Sequence, residues 1–430
     1  MKKLMLLSLA LLVSLSLYAA GQGEKSAAAD GPVNLDFVSW GAAEGQGKAA
    51  FEAMADAFAA TKPGLTITHV PFPYNNVKDQ LLIMSAAGSA PDLAQVKTEW
   101  VPALHKAGVL APLNDLLPQS TIDDFLPAAL EGTTYDGQIM AAPWCPSPIG
   151  LWYNKELVAK AGFDGPPATW AELQEQSRAI ASLGKDARGN TIYGLGISSK
   201  KLTGTGYFFL LYFWNYGGQF VDSKGNVMLN SAENIKTFED TRALFEEGVS
   251  PLGVEIKDLR NLFAQGQLGF HLDIEAGPAI FGGAAPEGAA FNEKVGLAEI
   301  PGMNGRKGVT AFVEHDLVVF KDSKDPKLAA EFVDFMSGPE GMAIYTKILP
   351  KYTARKSSSQ IDFYKASTDP YMATFLKILD NALPLPCKNP SFLEAMESVA
   401  VGIQKVALTD EPIKQIVAEM DKEVKAIYAE

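Results

Sequence analysis

Cysteine, histidine and positive charge are all scarce in this sequence of 430 residues. It has two cysteines and four histidines, and its 37 lysines and arginines face 50 aspartates and glutamates, for a net charge of −13. So acidic a chain is a poor partner for nucleic acid, and we predict none. The histidines at 69, 105, 271 and 315 are too scattered for a local metal site. We therefore predict no metal and no cofactor.

Several catalytic motifs are missing as well. The sequence contains no HExxH, GxSxG or GxxxxGK[ST] pattern, which removes support for zinc hydrolysis, serine hydrolysis and phosphoryl transfer. The glycine-rich stretch GAAEGQG at 41–47 lacks the Lys–Ser/Thr pair of a phosphate-binding loop. A glycosidase that uses two carboxylates stays open, because such pairs have no fixed spacing in sequence.

Long apolar runs are confined to the start of the chain. Lys2 and Lys3 precede an apolar stretch at 4–17, and small residues follow at Ala19 and Ala20. This pattern predicts a signal peptide over 1–20, cleaved near Ala20, and a flexible leader over 21–32. The stretch is too short for a typical membrane span. We therefore expect a periplasmic or extracellular protein.

The two cysteines, Cys145 and Cys387, lie 242 positions apart in a chain that we expect to be exported. An oxidising compartment permits a disulfide between them, and two separate buried thiols are the alternative. The scarcity of cysteine favours free thiols.

Strand-like and helix-like runs alternate along the chain. An alternating run at 33–39 is followed by a helical face of Phe51, Met54, Ala55 and Phe58, then by a β-rich run at 65–70. A second helix to about Ala87 and a short run at 92–96 complete a β-α-β-α-β order. This order predicts an α/β fold with mostly parallel sheets flanked by helices. About 400 residues exceed one ordinary core, so we predict two lobes.

Three segments carry a family resemblance. They are GSAPDLAQVKTEWVPALHKAGVLAPL (88–113), YDGQIMAAPWCPSPIGLWYNKELVAKAGFDGPPATWAELQ (135–174) and FAQGQLGFHLD (263–273). Together they resemble the extracellular solute-binding proteins of ABC importers, in particular the carbohydrate-binding group. The resemblance extends from about residue 33 to the C-terminus. It implies the two-lobed periplasmic-binding-protein fold, with a ligand cleft between the lobes.

The resemblance also implies that the chain crosses between the lobes three times. We expect the crossings at 141–147, near 301–304 and near 348–352. The N-terminal lobe would then comprise 33–142 and 303–348, and the C-terminal lobe 143–302 and 349–430. On this mapping the prolines of PWCPSP stiffen the first crossing strand, and Trp144 projects from it towards the cleft.

Aromatic rings and hydroxyl acceptors gather at the positions that the resemblance brings to the cleft. A sugar ring offers an apolar face to aromatic side chains and hydroxyls to carboxylates or amides. The predicted ligand-binding residues are Trp40, Glu44, Glu99, Trp100, Trp144, Ser147, Tyr207, Trp214, Asp273, Glu275, Glu314 and His315. Ser147 stands where the family often has a hinge carboxylate. Trp214 is equally compatible with a core position, and we expect Trp152 and Trp170 in the core.

These features predict the substrate-binding subunit of an ABC importer, a monomer that captures a carbohydrate by lobe closure and delivers it to a membrane permease. The predicted cleft is acidic, which argues against anionic ligands. We predict no enzymatic activity. The alternatives are a secreted carbohydrate-active enzyme that uses paired cleft carboxylates, and a sensor or chemoreceptor binding protein with the same fold.

Overall fold

The computed structural model of the protein describes residues 32–43, 45–365 and 369–429. The predicted signal peptide and all of the predicted leader except Pro32 lie outside these ranges. The β-α-β-α-β order predicted for the first hundred residues is confirmed. Its elements are β1 (Val33–Ser39), α1 (Gly45–Ala60), β2 (Leu65–Pro71), α2 (Tyr74–Ala86) and β3 (Leu93–Lys97).

The remaining elements continue the alternation of strands and helices. Up to residue 216 they are α3 (Val101–Lys106), α4 (Gln119–Asp124), α5 (Pro127–Thr133), β4 (Thr134–Tyr135), β5 (Gln138–Ile139), β6 (Ala142–Pro146), β7 (Ile149–Asn154), α6 (Lys155–Lys160), α7 (Trp170–Ala181), β8 (Tyr193–Gly196) and α8 (Thr203–Tyr216). From there to residue 319 they are α9 (Ala232–Glu246), α10 (Ile256–Ala264), β9 (Leu268–Ile274), α11 (Gly277–Ala284), β10 (Val295–Ala298), β11 (Thr310–Phe312) and β12 (Glu314–Val319). The last are α12 (Pro326–Ser337), α13 (Pro339–Ile348), α14 (Asp362–Lys365), α15 (Met372–Leu379), β13 (Ala382–Pro384), α16 (Phe392–Leu408) and α17 (Ile413–Tyr428). Short 3-10 helices span Gly41–Ala43, Thr98–Trp100, Gly288–Lys294 and Ser358–Gln360.

Two main sheets organise these elements. The first has the strand order β2-β1-β3-β12-β6, in which β1 is parallel to β2 and β3, and β12 is antiparallel to β3 and β6. The second has the order β10-β7-β9-β8, with β8 parallel to β9 and β7 antiparallel to β9 and β10. We use "first lobe" for the first sheet with the helices packed on it, and "second lobe" for the second sheet with its helices.

Each sheet is covered on both faces by apolar side chains. In the first lobe, Phe37 packs with Phe51 of α1 on one face, while Val38 packs with Val77 and Leu81 of α2 on the other. The second sheet lies between two further apolar clusters, one built largely on α8 and α16 and the other on α10 and α15. Two cores of this size agree with a chain too long for a single core.

The chain passes from the first sheet to the second between β6 and β7, and it returns to the first sheet at β12. Backbone hydrogen bonds tie these passing segments together, from Ser147 N to Val313 O at 2.6 Å and from Ala354 N to Trp144 O at 3.1 Å. β4 and β5 form a hairpin whose turn residues Asp136 and Gly137 both have positive φ, 50° and 77°. Within the described ranges, no helix has the length and apolarity of a membrane span.

Candidate functional site

The carboxyl ends of the first sheet's parallel strands bring several predicted residues together. Trp40 follows β1, and Glu99 and Trp100 follow the neighbouring strand β3. Strand β12 begins at the same edge, because it runs antiparallel to β3 and pairs His315 with Lys97. In open α/β sheets, ligands bind in a crevice outside the carboxyl ends of the strands.

An aromatic cluster occupies this edge. The ring of Trp40 meets those of Trp100, Tyr74 and His315 edge-on, with centroids 5.4, 5.5 and 5.0 Å away. Trp40 is 4% exposed, whereas Tyr74 is 42% exposed. Trp100 and Tyr74 line an open cleft, and Trp40 packs behind them. Trp100 is itself only 6% exposed, so Tyr74 offers most of the accessible ring surface of the cluster, while Trp40 packs behind both.

The cleft lies between the two lobes and has a volume of about 810 Å³. One wall comes from α2 and the end of β3, and the other from the first turns of α8 and α16. Its lining comprises Tyr74, Asn75, Lys78, Asp79, Lys97, Glu99 and Trp100 from the first lobe, Val313 before β12, and Leu202, Thr203, Gly204, Tyr207, Phe208, Leu393, Glu394 and Glu397 from the second lobe. A cavity of this volume suits a ligand of the size of an oligosaccharide or a drug-like molecule.

Two polar atoms of the lining residues are buried and have no hydrogen-bond partner among the described residues. They are Oε2 of Glu99 and the hydroxyl of Tyr207. A buried polar group without a hydrogen bond is costly, so such groups mark places where a ligand or water completes the pairing. The pKa of Tyr207 is raised, mainly by burial and also by the charge of Glu99. Its hydroxyl therefore remains protonated and able to donate.

A pair of buried carboxyl groups lies next to the cleft floor, on the first residues of β12. Glu314 Oε1 has no hydrogen-bond partner among the described residues, and the Thr98 hydroxyl lies beside the Asp316 carboxyl. Burial raises the pKa of Asp316 to about 8, and burial together with the charge of Asp316 raises the pKa of Glu314. Burial and the charge of Lys97 lower the pKa of His315, so its imidazole is neutral. It lies 3.3 Å from the amide nitrogen of Gln95.

Ser147 and Glu275 meet each other away from the cleft lining. The hydroxyl of Ser147 donates to Glu275 Oε1 at 3.3 Å, and the same carboxylate forms a buried ion pair with Lys351. Ser147 lies between β6 and β7, where the chain passes from the first sheet to the second, and Lys351 lies at the predicted third crossing. Their contacts fit a role in holding that passage together.

Two predicted site residues are in the cores, and the predictions about their side chains are corrected. Trp144 is fully buried against Phe51 and Tyr345, and its indole N–H donates to Met336 O at 3.2 Å. The strand's alternation directs this side chain under the first sheet, away from the cleft.

Asp273 is also fully buried and receives two 2.6 Å hydrogen bonds from the guanidinium of Arg260. His271 Nε2 lies 3.1 Å from the same carboxylate. Burial alone would raise the pKa of Asp273, but the bonds from Arg260 and His271 outweigh it and lower the pKa to about 2. Its acceptor capacity is therefore taken up inside the second lobe.

Trp214 and Glu44 are two further residues predicted to bind the ligand. Trp214 lines a different cavity, at the far end of α8 from Tyr207. Glu44 lies outside the described residues. Trp152 and Trp170 are in the core as predicted.

Sequence reasoning missed several residues that line the cleft. Tyr74 begins α2 shortly after the end of β2, at the same sheet edge as Trp40 and Trp100. Lys97 ends β3 and was not among the predicted residues. Leu393, Glu394 and Glu397 lie in the first turns of α16, and no local pattern distinguishes them from other helix-start residues. Among the described residues, no cluster of His, Cys, Asp and Glu is arranged to hold a metal ion.

Comparison with known proteins agrees with this architecture. The sequence pattern of the family described as bacterial extracellular solute-binding protein matches residues 42–343. The chain belongs to this bacterial extracellular solute-binding protein family. It is 26% identical to a binding protein of Brucella abortus, over 96% of this chain and 98% of that protein. It is 24% identical to the diacetylchitobiose-binding protein of Streptomyces coelicolor over 66% of each chain.

The fold itself has close counterparts among solved structures. The cyclic α-maltosyl-1,6-maltose-binding protein of Arthrobacter globiformis superposes with a TM-score of 0.81 at 23% identity, over 93% of this chain and 99% of that one. The predicted two-lobed periplasmic-binding-protein fold is thereby confirmed.

Proposed function

We propose that this protein is the substrate-binding subunit of an ABC importer, and that it captures a neutral carbohydrate in the cleft between its lobes. The observation that carries the proposal is the cleft lining, in which aromatic rings lie beside buried polar atoms that lack a partner. Membership of the solute-binding family supports the transport role. The sugars named for two of the similar proteins, a cyclic maltosyl-maltose and diacetylchitobiose, support the ligand class.

The chemistry of the lining suits a sugar ring. Trp100 and Tyr74 on one wall, and Tyr207 and Phe208 on the other, offer ring faces for the apolar C–H surface of a pyranose. Glu99 Oε2 is an acceptor without a partner and the Tyr207 hydroxyl a donor without one, and sugar hydroxyls complement both.

The charge of the lining favours a neutral ligand over an anion. Four carboxylates, of Asp79, Glu99, Glu394 and Glu397, face the cleft together with the two ammonium groups of Lys78 and Lys97. Lys78 already lies 3.6 Å from the carboxylate of Asp79. An anionic ligand would therefore meet an excess of like charge.

The mechanism is capture by closure. Each lobe contributes one wall, so a ligand that contacts both walls favours the conformation in which they approach. We place the hinge where the chain passes between the sheets, near 141–147, 301–304 and 348–352, with the lobes divided near the predicted bounds except that all of β6 (Ala142–Pro146) stays with the first sheet. We further propose that the mature chain is exported, acts as a monomer and docks on a membrane permease.

Capture by closure breaks no bond in the ligand. The alternative function is that of a carbohydrate-active enzyme. Glu314 and Asp316 are a buried carboxyl pair of the kind that such an enzyme needs. Neither residue lines the cleft, however, which favours binding over hydrolysis.

The experiment is a thermal-shift screen of the mature chain against neutral mono- and oligosaccharides, followed by calorimetry with the best of them. A bound ligand raises the melting temperature by mass action. We expect Tyr207→Phe to weaken that ligand about 2- to 10-fold, the value of one neutral hydrogen bond, and Glu99→Gln to weaken it about 10- to 150-fold, since a charged acceptor is lost.

The matched control is Tyr212→Phe. Tyr212 lies on the same helix as Tyr207, but it is buried in the second lobe and lines no part of the cleft. Losing its hydroxyl should leave the dissociation constant unchanged. Equal effects of the two Tyr→Phe changes would place the ligand elsewhere than in the cleft.

A further inference from the structure

A second cavity of about 860 Å³ lies at the opposite end of α8 from the cleft. It is bounded by the last turn of α5, the end of α8 with the hairpin that follows, the 306–309 segment, the 383–389 segment and Tyr428 of α17. No residue lines both cavities. Trp214, in this second cavity, is seven residues further along α8 than Tyr207 in the cleft, a rise of about 10 Å.

The charge around the second cavity is opposite to that of the whole chain. Four cations line it, namely Lys224, Arg306, Lys307 and Lys388. Across the part of the chain that the structure describes, none of the four has a carboxylate within ion-pair distance. Four unpaired cations around one cavity, in a protein with a net charge of −13, make a local field that attracts anions.

The carboxylates of the lining offset this field only in part. Asp222 accepts hydrogen bonds from the backbone N–H groups of Lys224 and Asn226 and from the Asn226 side chain, at 2.8–2.9 Å. Both of its oxygens therefore already accept hydrogen bonds within the 222–226 turn. Glu131, on the first lobe's α5, is the other acidic residue of the lining.

The guanidinium of Arg306 packs against a glycine at the cavity wall. Gly217 ends α8 with φ of 91°, a conformation that favours glycine, and a Cβ placed on it would lie 2.6 Å from that guanidinium. The planar donors of Arg306 suit the oxygens of a carboxylate or phosphate.

The cavity also offers a flat apolar surface and a donor without a partner. Trp214 is partly exposed to it. The Tyr428 hydroxyl is buried, and no described residue forms a hydrogen bond with it. Burial raises the pKa of Tyr428, which keeps the hydroxyl protonated as a donor. An indole face beside cations favours a ligand with a ring.

We infer that this cavity is a second binding site, for a small anion in which a phosphate or carboxylate is attached to a ring. Arg306 and Lys388 hold the anionic group, Trp214 covers the ring, and the Tyr428 hydroxyl donates to a ligand oxygen. The site is separate from the cleft proposed for the carbohydrate, since the two cavities share no lining residue. Its volume is that of a whole small-molecule ligand and exceeds what an inorganic ion fills.

The test is calorimetric titration of the mature chain at low salt with phenyl phosphate, benzoate, neutral benzyl alcohol and inorganic phosphate. We expect at least one ring anion to bind tenfold or more tightly than benzyl alcohol and than inorganic phosphate, and to weaken as salt is added. The tighter of phenyl phosphate and benzoate identifies the anionic group. Equal affinity for all four compounds, or binding of none, would overturn the inference.

Charge reversal locates the site. The double variant Arg306→Glu, Lys388→Glu should lose at least tenfold in affinity, and Tyr428→Phe should lose two- to tenfold. The matched control, Lys257→Glu with Lys347→Glu, makes the same change in net charge at two exposed lysines that lie outside the cavity and form no ion pair with any described residue. An equal loss in the control would mean that the anion responds to overall charge alone, and the second site would not exist.

Discussion

Trp144 gives a prediction that separates the core from the cleft. The side chain is fully buried, meets Phe51 and Tyr345 at ring distances of 5.5 and 5.1 Å, and donates its N–H to Met336 O. Removing a buried aromatic residue typically costs about 3–5 kcal/mol. We therefore expect Trp144→Ala to lower the free energy of unfolding by about 3–5 kcal/mol, measured by urea denaturation.

A conservative substitution at Trp144 separates the contribution of ring packing from that of the hydrogen bond. Trp144→Phe keeps most of the ring packing but loses the hydrogen bond to the Met336 carbonyl, so we expect a loss of about 1–3 kcal/mol, which includes the desolvation of that carbonyl. Tyr207→Phe is the contrasting variant. Its hydroxyl has no protein partner, so the ligand-free protein should lose no stability.

Ligand binding provides the other half of the test. The melting-temperature increase caused by the carbohydrate should be the same in Trp144→Phe as in the wild type, because mass action depends on affinity and concentration. A variant at Trp144 that kept its stability and lost its ligand would refute this reasoning. It would place the indole in the cleft, as the family resemblance alone implied.

Three other perturbations follow from the buried polar groups. Asp273→Asn should lower the free energy of unfolding by about 3–5 kcal/mol above pH about 4, because Arg260 loses its buried partner. The difference from the wild type should shrink as the pH falls towards 2, where the wild-type carboxyl also becomes protonated. Asp316 has a raised pKa of about 8, so its contribution to stability is present at low pH and is lost as the pH rises from about 4 to about 8. Asp316→Asn should therefore make the free energy of unfolding, measured with urea, less dependent on pH over that range. Cys145 and Cys387 are free and buried, so a thiol reagent should find none in the native protein and two in the unfolded, unreduced protein, and a reductant should not change the melting temperature.

The fold was predictable because its signals are local. The periodicity that predicts α1 comes from Phe51, Met54 and Phe58, all of which are buried. The carboxylate of Asp92, directly after Pro91, accepts from the backbone N–H groups of Asp36 and Lys324, which gives it a structural role. The preference for free thiols over a disulfide is also confirmed.

The site was only partly predictable because it depends on which way each side chain points. The family resemblance indicated Glu99, Trp100 and Tyr207 as cleft residues, and all three are in the cleft lining. The same reasoning failed for Trp144, since moving one position along a strand changes the face to which a side chain points. It failed for Asp273 because the partner that satisfies it, Arg260, is on a different element, and nothing in the local sequence shows that pairing.

The most direct test of the central claim is calorimetric titration with the saccharide that most raises the melting temperature, with chromatography of the sugar recovered afterwards. Capture in the cleft predicts binding of one sugar per chain, a weaker affinity in Tyr207→Phe but not in Tyr212→Phe, and recovery of the saccharide intact. Shortened saccharides after incubation, or no binding to any neutral sugar of the panel, would contradict it.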